Sequence, residues 1–170
     1  MICYVRLGGE TQDGEDVVSQ AEQRLSEKGL ELPPKPSPLA QYVSTVRTGN
    51  LVFVAGHGTN KDGQLVYRGK LGQDVDVETG YQAAQLVALN MLASLKAEIG
   101  DLDRVKRIVK LLGMVNCTPD FGQQPEVING ASDLLVHVFG ERGRHARSAV
   151  GMASLPRGIS VEIEMIVEVE

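Results

Sequence analysis

The segment that most constrains the fold is a long apolar stretch at residues 77–99, whose body reads YQAAQLVALNMLASLKAEI. Asp76 is placed to cap a helix, Glu78 suits the dipole of its first turn, and Gly100 ends it. Polar side chains form only a narrow strip on this helix: Gln82, Gln85, Lys96 and Glu98. A helix that is apolar around most of its circumference is covered on more than one side. We therefore expect it to pack on a sheet and against a further element.

Three segments before and after this helix predict strands. Residues 41–47 alternate as a half-buried strand does, residues 51–56 run apolar as a buried one does, and turn residues separate them, so the pair predicts a hairpin. Residues 58–64 have the composition of a loop. Residues 104–116 fit a helix or a buried strand equally well by periodicity. We favour a strand because Gly113 interrupts a helix there.

The C-terminal third predicts one more helix and two strands. Pro125 opens a helix whose apolar residues recur with a helical period, and Gly140 ends it. Strands follow at residues 147–154 and 160–169, joined by Leu-Pro-Arg-Gly. The predicted order is β-β-α-β-α-β-β, an α+β fold with two helices packed on one face of a mixed sheet.

The N-terminal part differs from the rest in composition. Residues 14–29 predict a short amphipathic helix with a stop at Gly29, which we interpret as a docked cap. Four of the seven prolines lie in residues 33–38, and such a run forms a stiff, extended connector. We therefore divide the chain into an N-terminal extension, residues 1–38, and a main domain, residues 39–170.

Composition narrows the class of the protein and its partners. The chain has 170 residues, 42% of them hydrophobic and 23% charged, which suits one globular domain with its own core. A net charge of −5 argues against a general nucleic-acid binder. We expect neither a secretory signal nor a membrane span. Cys3 and Cys117 are interpreted as reduced thiols of a cytoplasmic protein.

Common motifs for nucleotide and metal sites are absent from the sequence. It contains no P-loop, GxGxxG, HExxH or CxxC, so nucleotide, Rossmann and zinc sites lack support and we expect no metal. His137 lies beside the apolar stripe of the helix that Pro125 opens, and it is interpreted as structural. Ser148 has no histidine and aspartate at a recognisable spacing, which argues against a serine triad.

The clearest chemical signal is Arg147, in the segment HARSAVG at residues 145–151. Its guanidinium is permanently charged and has a planar fork that matches a carboxylate. The small residues that follow it leave room for a ligand. A salt bridge to a glutamate of the last strand explains the arginine equally well at this point.

The last strand carries a row of acids. One set of its side chains points to one face: Val161, Ile163, Met165, Val167 and Val169. The other set points to the opposite face: Glu162, Glu164, Ile166, Glu168 and Glu170. Most of these glutamates are interpreted as a solvated face, and one near Arg147 could hold a water. Hairpin pairing of the last two strands does not place Glu162 opposite Arg147, so a functional pair requires a bridging ligand or strand curvature.

The segment HARSAVGMASLPRGISVEIEMIVEV resembles the signature of the Rid (reactive intermediate deaminase) family, also called YjgF-like or L-PSP-like. The resemblance extends from about Pro38 to Glu168 and includes GNLVFVAGHG, VNCTPDF and VING. Within the family, the chain resembles a longer subgroup with an N-terminal helix and a few extra residues at 121–125. The resemblance implies a chorismate-mutase-like fold and a homotrimer with sites in the clefts between subunits.

The resemblance also implies an activity and the residues that carry it. The implied activity is hydrolysis of enamines and imines such as 2-aminoacrylate to 2-oxo acids and ammonia, without a cofactor. Arg147 corresponds to the family's carboxylate-binding arginine and Glu162 to its water-orienting glutamate. Tyr42 and Asn129 correspond to the tyrosine and the asparagine of the cleft.

The sequence departs from the family's pattern at two points. Ala55, Gly56 and His57, which the resemblance assigns to substrate binding, stand where the family often has Ser-Gly-Gln, and Ala149 stands where it often has Cys. Two other functions stay open. One is a non-catalytic trimeric module that binds small acids in the same cleft. The other is an endoribonuclease, against which the negative charge and the 4% aromatic content argue.

Overall fold

The structure is a computed structural model and describes residues 19–34 and 41–170. Its helices and strands, in chain order, are α1 (Gln20–Glu27), β1 (Thr45–Thr48), β2 (Leu51–His57), β3 (Asn60–Lys61), β4 (Gln64–Leu65), α2 (Val77–Ile99), β5 (Val105–Asn116), α3 (Gln124–Phe139), β6 (Ala146–Met152) and β7 (Val161–Val169). The predicted order β-β-α-β-α-β-β is present, with α1 and the short pair β3–β4 added to it.

The main strands form one mixed sheet in the order β1-β2-β7-β5-β6. β5 and β6 are parallel, and the other neighbours are antiparallel. Both long helices pack on the same face, where alternate residues of β7 are buried. The predicted α+β arrangement, with two helices on one face of a mixed sheet, is confirmed.

Helix α2 forms the centre of the core, as its sequence required. The Asp76 side chain accepts a hydrogen bond of 2.7 Å from the backbone N–H of Thr79, and Gly100 ends the helix. The sheet covers one side of α2 and α3 covers another. At Gly130 of α3 an added Cβ would overlap the backbone carbonyl of Tyr81 in α2, so glycine permits this close approach. The second cover that the apolar helix required is thus α3.

The strand predicted at residues 41–47 is wrong at its start, because β1 begins at Thr45. The cause lies in its partner strand. Thr45 pairs with Val54 of β2, and beyond Val54 the register of β2 shifts up to His57. This bulge removes the regular ladder with which an earlier part of β1 would pair. β2 itself follows the prediction.

The segment predicted as a loop at residues 58–64 contains most of a small hairpin, β3–β4. Asp62 and Gly63 form its turn, with φ angles of 53° and 79°. Two successive positive φ values define a primed hairpin turn, for which Asp-Gly is a preferred sequence. The Asn60 side chain accepts a hydrogen bond of 3.0 Å from the Gly63 N–H. The prediction of a plain loop was wrong because this Asp-Gly signal was not used.

The last two strands do not form a hairpin, although residues 104–116 are a strand as predicted. β5 lies between them, parallel to β6 and antiparallel to β7. Arg147 pairs with Leu111 of β5, whereas Glu162 pairs with Met114. Since residues three apart in a strand point to opposite faces, Arg147 lies on the helix-covered face and Glu162 on the open face.

Helix α1 docks on the helical layer. It is the described part of the helix predicted at residues 14–29, whose first five positions lie outside the described residues. The Asp103 carboxylate accepts hydrogen bonds of 2.8 and 3.0 Å from two backbone N–H groups at the start of α1. Leu25 is 1% exposed, and Gly29, with φ 67°, follows the helix as the predicted stop. These contacts join α1 to the same core as α2 and α3.

Some predictions fall partly on residues that the structure does not describe. Residues 35–40 include most of the proposed connector, so the boundary at residue 38 stays a prediction. Cys3 also lies outside the described part, and Cys117 is a buried free thiol. Within residues 19–34 and 41–170, no helix has the length and apolar character required to cross a bilayer.

Candidate functional site

The structure separates the predicted site residues into two places. One group lines a single cavity: Tyr42, Ala55, Gly56, His57 and Glu162. The other group, Arg147 and Asn129, lies where the start of β6 meets α3. β5 separates the strands that carry Arg147 and Glu162, and these two side chains point to opposite faces of the sheet. Neither place contains the whole predicted set.

Arg147 is held by neutral hydrogen-bond acceptors. Its Nη1 donates to Asn129 Oδ1 at 2.9 Å and to Ser132 Oγ at 3.0 Å. In the described part of the chain, no carboxylate forms an ion pair with Arg147. The alternative of a salt bridge to a strand glutamate is therefore not found there. The guanidinium keeps its full charge while its position is fixed.

The two bonds determine which edge of the guanidinium is available. They use both hydrogens of Nη1, and within residues 19–34 and 41–170 neither Nε nor Nη2 donates a hydrogen bond. Nε–H and one Nη2–H point in parallel, which is the geometry that binds both oxygens of a carboxylate. Arg147 thus presents a fixed two-pronged donor for an anion.

Ser132 and His145 extend this anchor. Ser132 Oγ lies 3.1 Å from His145 Nε2, and His145 Nδ1 lies 2.6 Å from the Gly143 carbonyl oxygen. Burial lowers the pKa of His145; the Gly143 hydrogen bond opposes that effect and the charge of Arg147 adds to it. We call Arg147, Asn129, Ser132 and His145 together the Arg147 anchor.

Our sequence reasoning assigned no role to Ser132 or His145, although the spacing contained the signal. Ser132 follows Asn129 by three positions in α3 and therefore shares its helical face. His145 precedes Arg147 by two positions, and residues two apart in an extended segment point to the same side. Both could have been found from the predicted elements and the choice of Arg147.

The second place is a cavity of about 610 Å³, which we call the Glu162 cavity. The bulged end of β2, the β3–β4 hairpin and the loop before β7 form its walls. Tyr42, with 52% of its surface exposed, stands at its edge. Two charged residues that the sequence reasoning did not single out, Asp62 and Arg157, line it as well.

The Glu162 carboxylate lies directly over Gly56. A Cβ added at Gly56 would overlap Glu162 Oε1, so the absence of a side chain there creates the space for the carboxylate. Glu162 is half-buried, and none of the described residues donates a hydrogen bond to it or pairs with it. Burial raises its pKa, and the neighbouring charge of Glu164 raises it further. The result is a carboxylate that is more basic than an exposed one and can bind a water.

His57 supports the wall of the Glu162 cavity. Its Nδ1 lies 2.7 Å from the Ala55 carbonyl oxygen and its Nε2 2.8 Å from Ser94 Oγ of α2. The residue is 8% exposed. Burial lowers its pKa, and the hydrogen bond to Ala55 opposes that effect. With both nitrogens engaged inside the chain, His57 fixes the bulge that carries Gly56 beneath Glu162.

The other histidine discussed above has a structural partner. His137 Nε2 lies 2.8 Å from the backbone carbonyl oxygen of Arg24, and so joins α3 to α1. Across the described residues there is no cluster of three or more His, Cys, Asp or Glu side chains suited to a metal ion.

Two sequence relatives cover most of the chain. It is 46% identical over 145 residues to Protein TCP17 of Trypanosoma cruzi, a match that spans 85% of this chain and 91% of that protein. It is 30% identical over 131 residues to a RutC family protein of Pyrococcus horikoshii, which spans 77% of this chain and 89% of that one.

Solved structures share the fold. A protein of unknown function from Agrobacterium tumefaciens matches with a TM-score of 0.84 and 47% identity, covering 89% of this chain and 93% of that chain. RidA from an Antarctic Psychrobacter matches with a TM-score of 0.54 and 27% identity, over 79% of this chain and 94% of that chain.

The family comparison agrees with both sets of relatives. The sequence model described as "YjgF/chorismate mutase-like, putative endoribonuclease" matches residues 22–166, which include the main sheet except for the last three residues of β7. This span also contains the Arg147 anchor and the Glu162 cavity. The chain therefore belongs to the YjgF/chorismate mutase-like family.

Proposed function

We propose that this protein is a hydrolytic deaminase of small enamines and imines, of the 2-aminoacrylate and 2-iminopropionate type. The products are 2-oxo acids and ammonia. The observation that carries the proposal is the Arg147 anchor, in which a cation without an acidic partner among the described residues leaves its two-pronged donor edge unoccupied. Such an edge suits the carboxylate that all these substrates share. The similarity to RidA supports the same reaction class.

We further propose that the working form is a homotrimer with its sites between subunits. The division of the site is the supporting observation. Within one chain, Arg147 and Glu162 lie two strands apart, about 10 Å, and on opposite faces of the sheet, so one small molecule does not touch both. A site that uses both side chains therefore takes Arg147 from one copy and Glu162 from another.

The open face of the sheet supports association between copies. It exposes three large apolar side chains: Val46 at 54%, Phe53 at 43% and Val150 at 40%. Phe53 pairs with Val46 on one side and with Ile166 on the other, so Val46, Phe53 and Ile166 form a continuous apolar row. An apolar patch of this kind is typical of an interface. Glu162 and Val150 both neighbour Met114 on that face, which would place Glu162 at the contact.

The proposed reaction is the addition of water to a C=N bond followed by loss of ammonia. Arg147 binds the substrate carboxylate through Nε and Nη2. Glu162 of a neighbouring copy orients a water and accepts its proton as oxygen bonds to the imine carbon. Glu162 passes this proton to the former imine nitrogen, which gives a neutral carbinolamine. The carbinolamine hydroxyl then loses its proton and the nitrogen gains one, so that the C–N bond breaks, ammonia leaves and the carbonyl remains. For 2-iminopropionate the balance is CH₃C(=NH)COO⁻ + H₂O → CH₃COCOO⁻ + NH₃, with no step that calls for a cofactor.

The other predicted residues take supporting parts in this proposal. Asn129 accepts from Arg147 and keeps the guanidinium in place. Gly56 leaves room for the Glu162 carboxylate, while Ala55 and His57 shape the wall beside it. Tyr42 closes the edge of the Glu162 cavity against the substrate.

The first experiment follows the loss of 2-iminopropionate, generated in the assay from alanine by an amino-acid oxidase. We expect the wild-type protein to accelerate its conversion to pyruvate, and Arg147→Ala to lose that acceleration. Arg144→Ala is the matched control, because Arg144 is an exposed arginine, at 71% for its side chain, on the same segment. The oligomeric state of each variant is measured by light scattering.

Two other results would redirect the proposal. If wild-type protein of the expected assembly leaves the imine untouched but binds 2-oxo acids through Arg147, the protein is a binding module. If it cleaves RNA instead, and Arg147→Ala does not affect the imine at all, the endoribonuclease named in the family description becomes the leading function.

A further inference from the structure

We infer that Ser132 and His145 are positioning residues that fix the Arg147 guanidinium for carboxylate binding. The inference rests on the proposed carboxylate-binding role of Arg147. It assigns a function to two side chains outside the predicted site set. Three contacts carry it: Gly143 to His145 at 2.6 Å, His145 to Ser132 at 3.1 Å, and Ser132 to Arg147 at 3.0 Å.

The direction of each hydrogen bond in this chain of contacts follows from its first member, the Gly143 carbonyl. The Gly143 carbonyl can only accept, so His145 Nδ1 carries the hydrogen and donates it. In a neutral imidazole Nε2 then has no hydrogen and accepts one from the Ser132 hydroxyl. With its hydrogen directed to His145, Ser132 Oγ turns its lone pairs toward Arg147. The chain therefore keeps the hydroxyl oriented as an acceptor for the guanidinium.

The chemistry of this anchor explains why no acid is used. An aspartate at position 132 would hold the guanidinium more strongly but would cancel the charge that attracts a substrate carboxylate. A hydroxyl whose hydrogen is already engaged fixes the same Nη1 and leaves the charge intact. Asn129 Oδ1 acts in the same way at 2.9 Å. Both acceptors lie on α3, a rigid helix, and this reduces the freedom that Arg147 loses on binding a ligand.

His145 makes the arrangement dependent on its protonation state. It meets the Ser132 hydroxyl from α3, the Gly143 carbonyl from the preceding turn, and the charge of Arg147 from the start of β6. The lowered pKa keeps the ring neutral at pH 7 and above. Once protonated, Nε2 donates instead of accepting, and the imidazolium repels Arg147 across Ser132. We therefore expect the anchor to weaken on acidification below about pH 6.5.

The test measures binding of 2-oxobutanoate by calorimetry, because binding does not depend on turnover. We expect Ser132→Ala to weaken binding about tenfold, which is the worth of one hydrogen bond to a charged group at the low end of its range. Ser132→Thr keeps the hydroxyl and is expected to restore most of the affinity. Ser148→Ala is the matched control, since its hydroxyl accepts from Lys110 at 2.8 Å on the other face of the sheet. It is expected to bind as the wild type does.

A pH series isolates His145. The series uses two proteins, Glu162→Gln and the double variant Glu162→Gln with His145→Gln, because the first substitution removes the titration of that carboxyl. The dissociation constant for 2-oxobutanoate is measured for each between pH 7.5 and pH 5.5. We expect affinity to fall on acidification when His145 is present and to stay nearly constant with glutamine. A residue that only stabilised the fold would change the melting temperature without changing this profile.

The outcomes separate this inference from the proposed function. If Arg147→Ala abolishes 2-oxobutanoate binding while Ser132→Ala and His145→Gln bind as the wild type does, the positioning inference fails alone. Tighter binding at low pH with His145 present would overturn it as well. If Arg147→Ala binds normally, the carboxylate-binding role itself is wrong, and the positioning role falls with it.

Discussion

The Arg147 anchor and the Glu162 cavity hold opposite charges by opposite means. Arg147 is fixed by the hydrogen bonds that it donates to Asn129 and Ser132, and its charge does not vary with pH. Glu162 has no such partner in the described chain. It is placed by close packing over Gly56 and by partial burial. One half of the proposed site is therefore rigid and always charged, and the other half is loosely held and titratable.

This difference predicts how the two halves of the proposed site divide the work. A permanent cation held in one orientation is suited to binding and orientation, which act on KM. A carboxylate with a raised pKa and an open side is suited to handling a proton, which acts on kcat. Changes in the two regions should therefore separate in the kinetics.

The largest effect in the Glu162 cavity is expected from Glu162→Gln. The amide keeps the size of the side chain but accepts a proton far less readily, so kcat should fall roughly 10²-fold while KM stays close to the wild-type value. The raised pKa means that wild-type kcat falls as the pH drops through it, and the variant should lack this acidic limb. Steady-state rates from pH 5 to pH 8 check both points. A change in KM alone would remove the distinction between the two regions.

A smaller effect is expected from Gly56→Ala. The new Cβ overlaps Glu162 Oε1, and since this atom ends a flexible side chain, the carboxylate should move at little cost in stability. We expect kcat to fall about tenfold, less than on removal of the carboxylate, with a melting temperature within a degree or two of wild type. Gly130→Ala is the contrasting variant, because its Cβ meets the Tyr81 backbone. Overpacking there should cost ~1–3 kcal/mol or more, seen by thermal unfolding.

Equal losses of stability in Gly56→Ala and Gly130→Ala would contradict this reading of the Glu162 cavity. They would show that Glu162 is as tightly held as the helix contact. The carboxylate would then belong with Arg147 among the rigid parts of the molecule.

The smallest effect concerns stability and pH. Burial lowers the pKa of His57, so below about pH 6.5 the unfolded chain binds a proton there more readily than the folded one. The contribution of the neutral ring is present above that pH and is lost as the pH falls through the unfolded value toward the folded one. The melting temperature should therefore drop on acidification, and less steeply for His57→Gln. Thermal unfolding at pH 8 gives the change in melting temperature that the substitution causes apart from titration. If the melting temperatures of the two proteins depended equally on pH, this would argue against a neutral buried His57.

The sequence predicted those elements whose signal is local. The α2 cap at Asp76, the stop at Gly100, the period of α3 and the alternation of β7 all depend on neighbouring residues, and the structure confirms each. The start of β1 was wrong because it depends on a bulge in another strand. The separation of the last two strands had no local signal, because β5, thirty or more residues earlier in the chain, inserts between them.

The candidate site shows the same division. Arg147 was singled out by residue chemistry, and Glu162 by resemblance to a family. Ser132 and His145 follow from spacing only once Arg147 is chosen. Asp62 and Arg157, which line the Glu162 cavity, gave no signal of proximity because they come from separate loops.

By itself the sequence determined which segments are helices and strands, that two helices share one sheet, and which arginine is the candidate anion binder. These follow from hydrophobic period, caps and side-chain chemistry, all of which act over a few residues. Only the tertiary structure decided that Arg147 and Glu162 lie on opposite faces, on either side of β5. Strand order is set by contacts between distant segments, and no local pattern records it. That order is what leaves one chain with two separate halves of the proposed site.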